Sequence, residues 1–175
     1  TLVVDIDGTI SDLPDWKVPF RGSKAPTFAF AAELMRKLWA DYEIVYLTAR
    51  DDALDKVTMA FLEKHGFPEG PVLYNDWKRF RKNPEDFKYR SIMALRRAGV
   101  PVVAGIGNSG SDVKAYLPAA IDTYILEGGD DIPAGGVVFF EDYLELERIL
   151  AQKREEYREA AGKLARTGGE SVTGG

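Results

Sequence analysis

Leu2-Val3-Val4-Asp5-Ile6-Asp7-Gly8-Thr9 carries a β-branched, apolar run directly into two carboxylates, a glycine and a hydroxyl. A run of that kind predicts a buried strand. Gly8 has the φ freedom a sharp turn needs, so the chain can curl there and bring Asp5 and Asp7 to one pocket. A lone pair of acids could simply cap a turn. The elements downstream make a site the better reading.

Those elements alternate. Thr27 reads as the N-cap of a helix to about Ala40, with Phe30, Leu34 and Leu38 on one face. Glu43 to Leu47 is a strand closed by Thr48, and Asp51 or Asp52 can cap a helix carrying Leu54, Val57, Phe61 and Leu62. Pro71 to Tyr74 is a short strand, Pro84 to Ala98 a helix, and Val100 to Ile106 a fourth strand that ends in Gly107-Asn108-Ser109-Gly110-Ser111-Asp112 before a short helix. Thr123 to Leu126 and Val137 to Phe140 complete the strands, and a charged helix runs from Glu141 to about Arg166. Strands alternating with helices imply βαβ units. The fold class expected is α/β: a three-layer Rossmannoid sheet, mostly parallel, with helices on both faces. Ligands of such sheets gather at the carboxyl ends of the strands. Asp5, Asp7, Thr48, Asn108 and Asp112 come from separate segments and all fall at those ends.

Composition narrows the function. The 175 residues hold 23 basic and 28 acidic side chains, for a formal charge of −5. General nucleic-acid binding, which needs a basic face, is therefore not expected. No cysteine is present, so disulfides and thiolate zinc sites are excluded, and a single histidine, His65, argues against a histidine metal centre. His65 reads as a helix-end residue stabilised by the helix dipole. No apolar run reaches the length of a transmembrane segment. The chain opens at Thr1, already within a strand, which implies trimming of an initiator Met. A cytoplasmic location is the expectation, with peripheral association at a membrane as an option. Residues 1–166 read as one domain and the Gly-rich 167–175 as a disordered tail.

In order along the chain, these motifs resemble the haloacid dehalogenase superfamily of phosphohydrolases. Asp5 matches its nucleophile and Asp7 its general acid/base. Thr48 matches the hydroxyl that meets the phosphoryl group, Lys88 the motif-three lysine, and Asn108 with Asp112 the metal-holding pair. A narrower resemblance lies in Pro84-Glu85-Asp86-Phe87-Lys88, Ala104-Gly105-Ile106-Gly107-Asn108 and Asp112-Val113-Lys114-Ala115-Tyr116. With Leu47-Thr48-Ala49-Arg50, these are similar to the catalytic lobe of the lipin-type (LNS2-like) phosphatidate phosphatases, related domains of which occur in phosphatidylinositol transfer proteins. Ser109 stands where lipins carry Arg.

The resemblance implies a phosphatase that uses Mg²⁺ held by Asp5, Asp7, Asn108 and Asp112. Gly8, Thr9, Ala49 and Arg50 are then the expected substrate-binding residues. The substrate is a phosphorylated molecule, with phosphatidate or another lipid phosphate the leading class. The alternatives are a non-catalytic phospholipid sensor, or a phosphatase for protein, nucleic-acid-end or small-metabolite phosphates. The segments between motifs leave space for a small flap after the first strand and for no folded cap, which suits a large or surface-bound substrate. Lys17, Arg21 and Lys24, and Lys78, Arg79, Arg81 and Lys82, form two basic stretches that could face it, and Trp16, Phe20 and Trp77 lie beside them. Charge runs are more often solvated faces. Gly105-Ile106-Gly107 is better explained by close approach of backbone than by dinucleotide binding. In the last helix, Leu146, Ile149, Leu150, Tyr157, Ala161 and Leu164 recur at helical spacing. The half through Leu150 is expected to pack on the sheet and the remainder to fray.

Overall fold

The computed structural model describes residues 1–12, 24–75, 83–127 and 135–170. The opening apolar run forms β1 (Leu2–Val4), and alternate side chains enter opposite layers, Leu2 and Val4 into one core cluster and Val3 into the other. There follow α1 (Ala31–Trp39), β2 (Ile44–Asp51), α2 (Asp55–Lys64), β3 (Val72–Asn75), α3 (Pro84–Arg97), β4 (Ala104–Gly107), α4 (Gly110–Tyr116), β5 (Asp122–Leu126), β6 (Val137–Phe140) and α5 (Tyr143–Glu170). The strands form a six-stranded sheet in the order β3-β2-β1-β4-β5-β6, every neighbouring pair parallel. Helices cover both faces. Leu34 and Met35 of α1, Phe61 of α2 and Leu146 and Leu150 of α5 pack on one. Phe87 and Ile92 of α3 and Ala115 and Tyr116 of α4 pack on the other. The chain turns from one half of the sheet to the other between β1 and β4, and the crevice outside their carboxyl ends is where such a sheet receives ligands.

Local chemistry fixes the helices that matter to that crevice. Asn83 caps α3, its side chain accepting from the Asp86 N–H at 3.0 Å, with Pro84 in the first turn and Arg96 and Arg97 in the last. That start places Lys88 one turn into the helix, at the carboxyl edge of the sheet. At α4, Asp112 reaches back to accept from the Ser109 N–H at 3.1 Å, a capping-box contact. His65 closes α2, as its place at a helix end implied, and its ring Nε2 donates to the Ala25 carbonyl at 2.9 Å.

Several boundaries differ from the sequence reading. Thr27 does not cap α1; its hydroxyl donates to the Ile10 carbonyl at 2.8 Å, tying the lead-in to the loop after β1, and the helix starts later, after Phe30 in a left-handed conformation with φ 62°. Phe30 is half exposed rather than part of the buried face. β2 continues past Thr48 to Asp51, with an irregularity in its pairing with β3 after Thr48. β4 spans Ala104–Gly107 rather than Val100 to Ile106; Val102 and Val103 are buried ahead of it, and the Val103 main chain is hydrogen-bonded to Thr1 and to Asp122. The basic and aromatic residues between 13 and 23 and between 76 and 82 lie outside the described residues, whereas Lys24 is described and exposed. Among the described residues, no helix is long and apolar enough to cross a membrane.

Helix α5 does not fray after Leu150. Tyr157, two turns further, is only 4% exposed. Its ring stands edge-on to Tyr42, with centroids 6.2 Å apart, and its hydroxyl is hydrogen-bonded to Tyr124 and donates to Asp122 at 2.8 Å. Arg154 and Arg158 add ion pairs to Asp41 on the surface. The helix runs to Glu170, past the expected domain boundary at 166; Ala161 and Leu164 lie outside the described side chains. Burial of a whole ring separates two substitutions. Tyr157→Phe keeps the ring and removes the hydroxyl, for an expected loss of about 1 kcal/mol. Tyr157→Ala leaves a cavity and is expected to cost about 3–5 kcal/mol. Urea unfolding of both variants checks the ordering; equal, negligible losses would mean that the helix is not packed at Tyr157.

Candidate active site

The carboxyl end of β1 delivers Asp5 into a nearly dry pocket. The residue is 4% exposed. Its Oδ1 accepts from Lys88 Nζ at 2.9 Å, and the same ammonium donates to Asp112 Oδ1 at 2.6 Å. One cation and two carboxylates thus meet from three different elements. Asp112 Oδ2 accepts from the main-chain N–H groups of Asn108 and Ser109, at 3.2 and 3.1 Å, and from the Ser109 hydroxyl at 2.7 Å. Asp112 therefore holds Lys88 with one oxygen and the loop carrying Asn108 with the other.

The second oxygen of Asp5 faces differently. Asp5 Oδ2 lies 3.2 Å from the Thr9 hydroxyl, which is also 3.1 Å from Asn108 Oδ1. A hydroxyl has one hydrogen to donate, so two electron-rich oxygens share one donor here. The Thr9 turn is held from below by Tyr143, the first residue of α5, whose buried hydroxyl donates to the Thr9 carbonyl at 2.5 Å. Gly8 takes φ +74°, and a Cβ on it would come within 2.2 Å of Asn108 Nδ2. Asn108 is thus seated against the turn by the missing side chain. Gly105 and Gly107 clear space in the same way: a Cβ on the first would meet the Tyr116 ring at 2.5 Å, and on the second the Asp112 carboxylate carbon at 2.4 Å.

Asp7 belongs to a second cluster. Its Oδ1 accepts from Arg50 Nη2 at 2.6 Å and its Oδ2 from Arg50 Nε at 2.8 Å. Arg50 is 4% exposed and its Nη1 donates to Thr58 of α2 at 2.9 Å. The Arg50 guanidinium is therefore turned inward. Thr48, fully buried, accepts from the Arg50 N–H at 3.2 Å, and Ala49 lies between them at the end of β2. The structure brings all ten sequence-predicted site residues to one edge of the sheet. Sequence reasoning missed Thr58, Tyr143 and the capping role of Ser109. A threonine four residues after Leu54 in a helical pattern, placed to bond back to the Leu54 carbonyl as it does at 2.9 Å, was the signal for the first; a tyrosine one turn before Leu146 on the same face was the signal for the second.

The electrostatics follow from burial. Burial pushes the Asp5 carboxyl up; Lys88 pulls it down, the Asp112 and Asp7 carboxylates add to the rise, and the result is about 7. Burial also works against charge on Lys88, but Asp112 and Asp5 outweigh it and raise the ammonium above its ordinary value. For Asp112, burial is outweighed by Lys88, the Ser109 hydroxyl and the Asn108 N–H, and the carboxyl is lowered. Three carboxylates against two cations leave the site with one net negative charge when all are ionised.

The parallel sheet, with its crevice beside β1 and the buried Asp5–Lys88–Asp112 arrangement at its edge, has the fold of the haloacid dehalogenase-type phosphatases. A family model described as the LNS2 domain of PITM 1-3 matches residues 2–126, and the chain belongs to this LNS2 family. The solved structures it resembles include a D,D-heptose 1,7-bisphosphate phosphatase from B. bronchiseptica, complexed with magnesium and phosphate. That protein is 17% identical with a TM-score of 0.65, over 87% of this chain and 99% of that one. A Pnkp1/Rnl/Hen1 RNA repair complex contains a chain 19% identical with a TM-score of 0.65, the match covering 74% of this chain and 43% of that one. A haloacid dehalogenase-superfamily hydrolase from Geobacter sulfurreducens is 15% identical with a TM-score of 0.59, over 85% and 97% of the two chains. At these identities the likeness is one of fold. No curated protein matches the chain by sequence.

Removing one member of the buried triad gives a test of its electrostatics. Lys88→Met leaves Asp5 and Asp112 facing each other without a cation, and the expected loss at pH 7.5 is about 3–5 kcal/mol. Without the ammonium both carboxyls favour their protonated forms in the folded state. The variant should therefore regain stability as pH falls toward 5. Urea unfolding at the two pH values checks the sign; a loss that grows toward pH 5 would contradict the placement of the charges.

Proposed function

We propose that this domain, spanning 1–166, is a Mg²⁺-dependent phosphomonoesterase that acts through an aspartyl-phosphate on Asp5. The observation that carries the reading is the division of labour on Asp5, one oxygen fixed by Lys88 and the other left beside Thr9 and Asn108. A group held in this way is aimed and partly desolvated, which suits a nucleophile.

The donor set fits a hard divalent cation. Among the described residues no cluster of three His, Cys, Asp or Glu side chains forms a self-sufficient cage. Mg²⁺ does not need one, since it is commonly held by one or two carboxylates together with water and substrate phosphate. Asp5 and Asn108 would hold it, their oxygens already facing one hydroxyl. The Asp112 side chain, with both oxygens engaged on Lys88 and the Asn108 loop, supports that set from behind, and the Asp7 carboxylate is held on Arg50. When bound, the cation would turn a site of net charge −1 into one of +1 and so admit a phosphate dianion.

The chain's own residues then divide the reaction. Asp7 first takes up a proton from solvent; an Asp5 oxygen then attacks phosphorus as the bond from phosphorus to the leaving oxygen breaks, and Asp7 gives that oxygen the proton. A water next attacks phosphorus, the bond to Asp5 breaks, and Asp7 takes the water's proton. Thr48 and Lys88 donate to the equatorial oxygens, where transition-state charge spreads. Gly8, Thr9 and Ala49 line the approach of the phosphate. Family membership and the lipin-like motifs support a lipid phosphate, with phosphatidate as the leading class, and action at a cytoplasmic membrane surface.

Phosphate release from p-nitrophenyl phosphate and from dispersed phosphatidate, with Mg²⁺ and with EDTA, tests the reading. Release that needs Mg²⁺ and is abolished by Asp5→Asn is expected; release that survives EDTA would sink it. Vesicle binding without turnover would instead identify a sensor.

Mg²⁺ affinity should also depend on pH. The Asp5 carboxyl sits near pH 7 and only its ionised form binds the cation, so binding displaces a proton below that value. Affinity is expected to fall about tenfold per pH unit well below 7. Calorimetry in two buffers of different ionisation enthalpy measures the released proton; uptake of a proton would contradict the assignment.

A further inference from the structure

Arg50 was expected to meet the substrate, but its geometry favours another role. Nε and Nη2 grip the two oxygens of Asp7 at 2.8 and 2.6 Å, a two-point fork that fixes the direction and the plane of the carboxylate. Nη1 is bound to Thr58, whose hydroxyl passes its own hydrogen to the Leu54 carbonyl. Each of the three guanidinium nitrogens is thus engaged inside the protein, and both side chains of the ion pair are nearly buried, at 2% and 8% exposed. The cation is built into the floor beneath Asp7 rather than held out to solvent.

We propose, on the reading that Asp7 serves the leaving group, that Arg50 is a positioning residue braced by Thr58: it sets the orientation of Asp7 toward Asp5 and makes no contact with the phosphate. The fork uses two of the about four acceptor positions of a carboxylate, so being held does not by itself bar proton transfer. Asp7 sits on the turn before Gly8, and without the fork its side chain would sample rotamers in which proton transfer is misaligned. Misplacement of about 1 Å can cost about 10²-fold in rate. Lysine cannot substitute, because one ammonium does not reproduce a planar two-point grip.

The test compares Arg50→Ala, Arg50→Lys and Thr58→Val, each with and without Asp7→Asn, on p-nitrophenyl phosphate and on glycerol phosphate. The alkyl ester needs its leaving oxygen protonated; the nitrophenyl ester scarcely does. Expected is a fall in kcat of about 10²-fold on glycerol phosphate and of only a few-fold on p-nitrophenyl phosphate, with KM little changed and no rescue by lysine. Thr58→Val should show the same pattern more weakly and retains the fold should Arg50→Ala lose it. In the Asp7→Asn background the Arg50 substitutions should have no further effect. A raised KM on both esters that persists with Asp7→Asn would overturn the proposal in favour of a substrate contact. An equal loss of kcat on both esters would reduce Arg50 to a structural role. A wild-type protein that turns over neither these esters nor dispersed phosphatidate would defeat the underlying phosphatase reading, and the positioning role with it. The fork has its own readout: the Arg50 Nε–H resonance should exchange slowly in the wild type and quickly in Asp7→Asn, and fast exchange in the wild type would refute the fork at any level of activity.

Discussion

The ammonium of Lys88, buried between the carboxylates of Asp5 and Asp112, is the interaction on which the rest of the site depends. Neither carboxylate could stay ionised in so dry a place without it. Nor could Lys88 remain charged at 2% exposure without both of them. The three groups come from the end of β1, the second turn of α3 and the start of α4. Their mutual requirement therefore fixes how helices of one layer sit against the central strand. The balance is deliberately incomplete. With Asp7 and Arg50 included, one negative charge is left over, and a buried site does not tolerate that indefinitely. It is relieved by a proton on Asp5 near neutral pH or by a cation, and these compete for the same carboxylate.

Topology explains why the charges can meet at all. In a parallel sheet all strands end on the same edge, and between β1 and β4 the chain departs in opposite directions, which opens a crevice there. Backbone has to come close on both sides of that crevice. Gly105 and Gly107 of β4 admit Tyr116 and Asp112 where a β-carbon would collide, and Gly8 admits Asn108. The pair of glycines that looks like a weak nucleotide motif is thus a packing device, as its position at the strand end implied.

Much of this was legible in the residues. The apolar run into Asp5-Ile6-Asp7-Gly8-Thr9 gave the first strand and its turn, and the alternation of elements gave the parallel sheet with two helical layers. Lys88 was findable only through its motif, since a lysine on a helix is ordinarily solvated. What stayed hidden were properties of direction. A sequence places Arg50 beside Thr48 but does not tell whether its long side chain reaches out to a ligand or curls back onto Asp7; burial decides, and burial is a property of the assembled fold. Thr27 failed as a cap for a related reason. A tertiary partner, the Ile10 carbonyl, competed for its hydroxyl, and the helix began only after the chain had turned at Phe30. Tyr157 was underestimated because the helix is longer than one sheet face of this size would normally cover, whereas its neighbours in space are Tyr42 and Tyr124.

The last helix shows how stability and function share one element. Its apolar stripe, Leu146, Leu150 and Tyr157, closes one face of the sheet. Its first residue, Tyr143, closes the floor of the site, because the hydroxyl donates to the carbonyl of Thr9, the residue whose own hydroxyl stands between Asp5 and Asn108. A shift of α5 along its axis would move Tyr143 and with it the Thr9 turn. Tyr157, four helical turns away, resists such a shift through its buried hydroxyl network with Tyr124 and Asp122. An element that looks like an appendage in the sequence is therefore tied at one end to the start of β5 and at the other to the turn around Asp5.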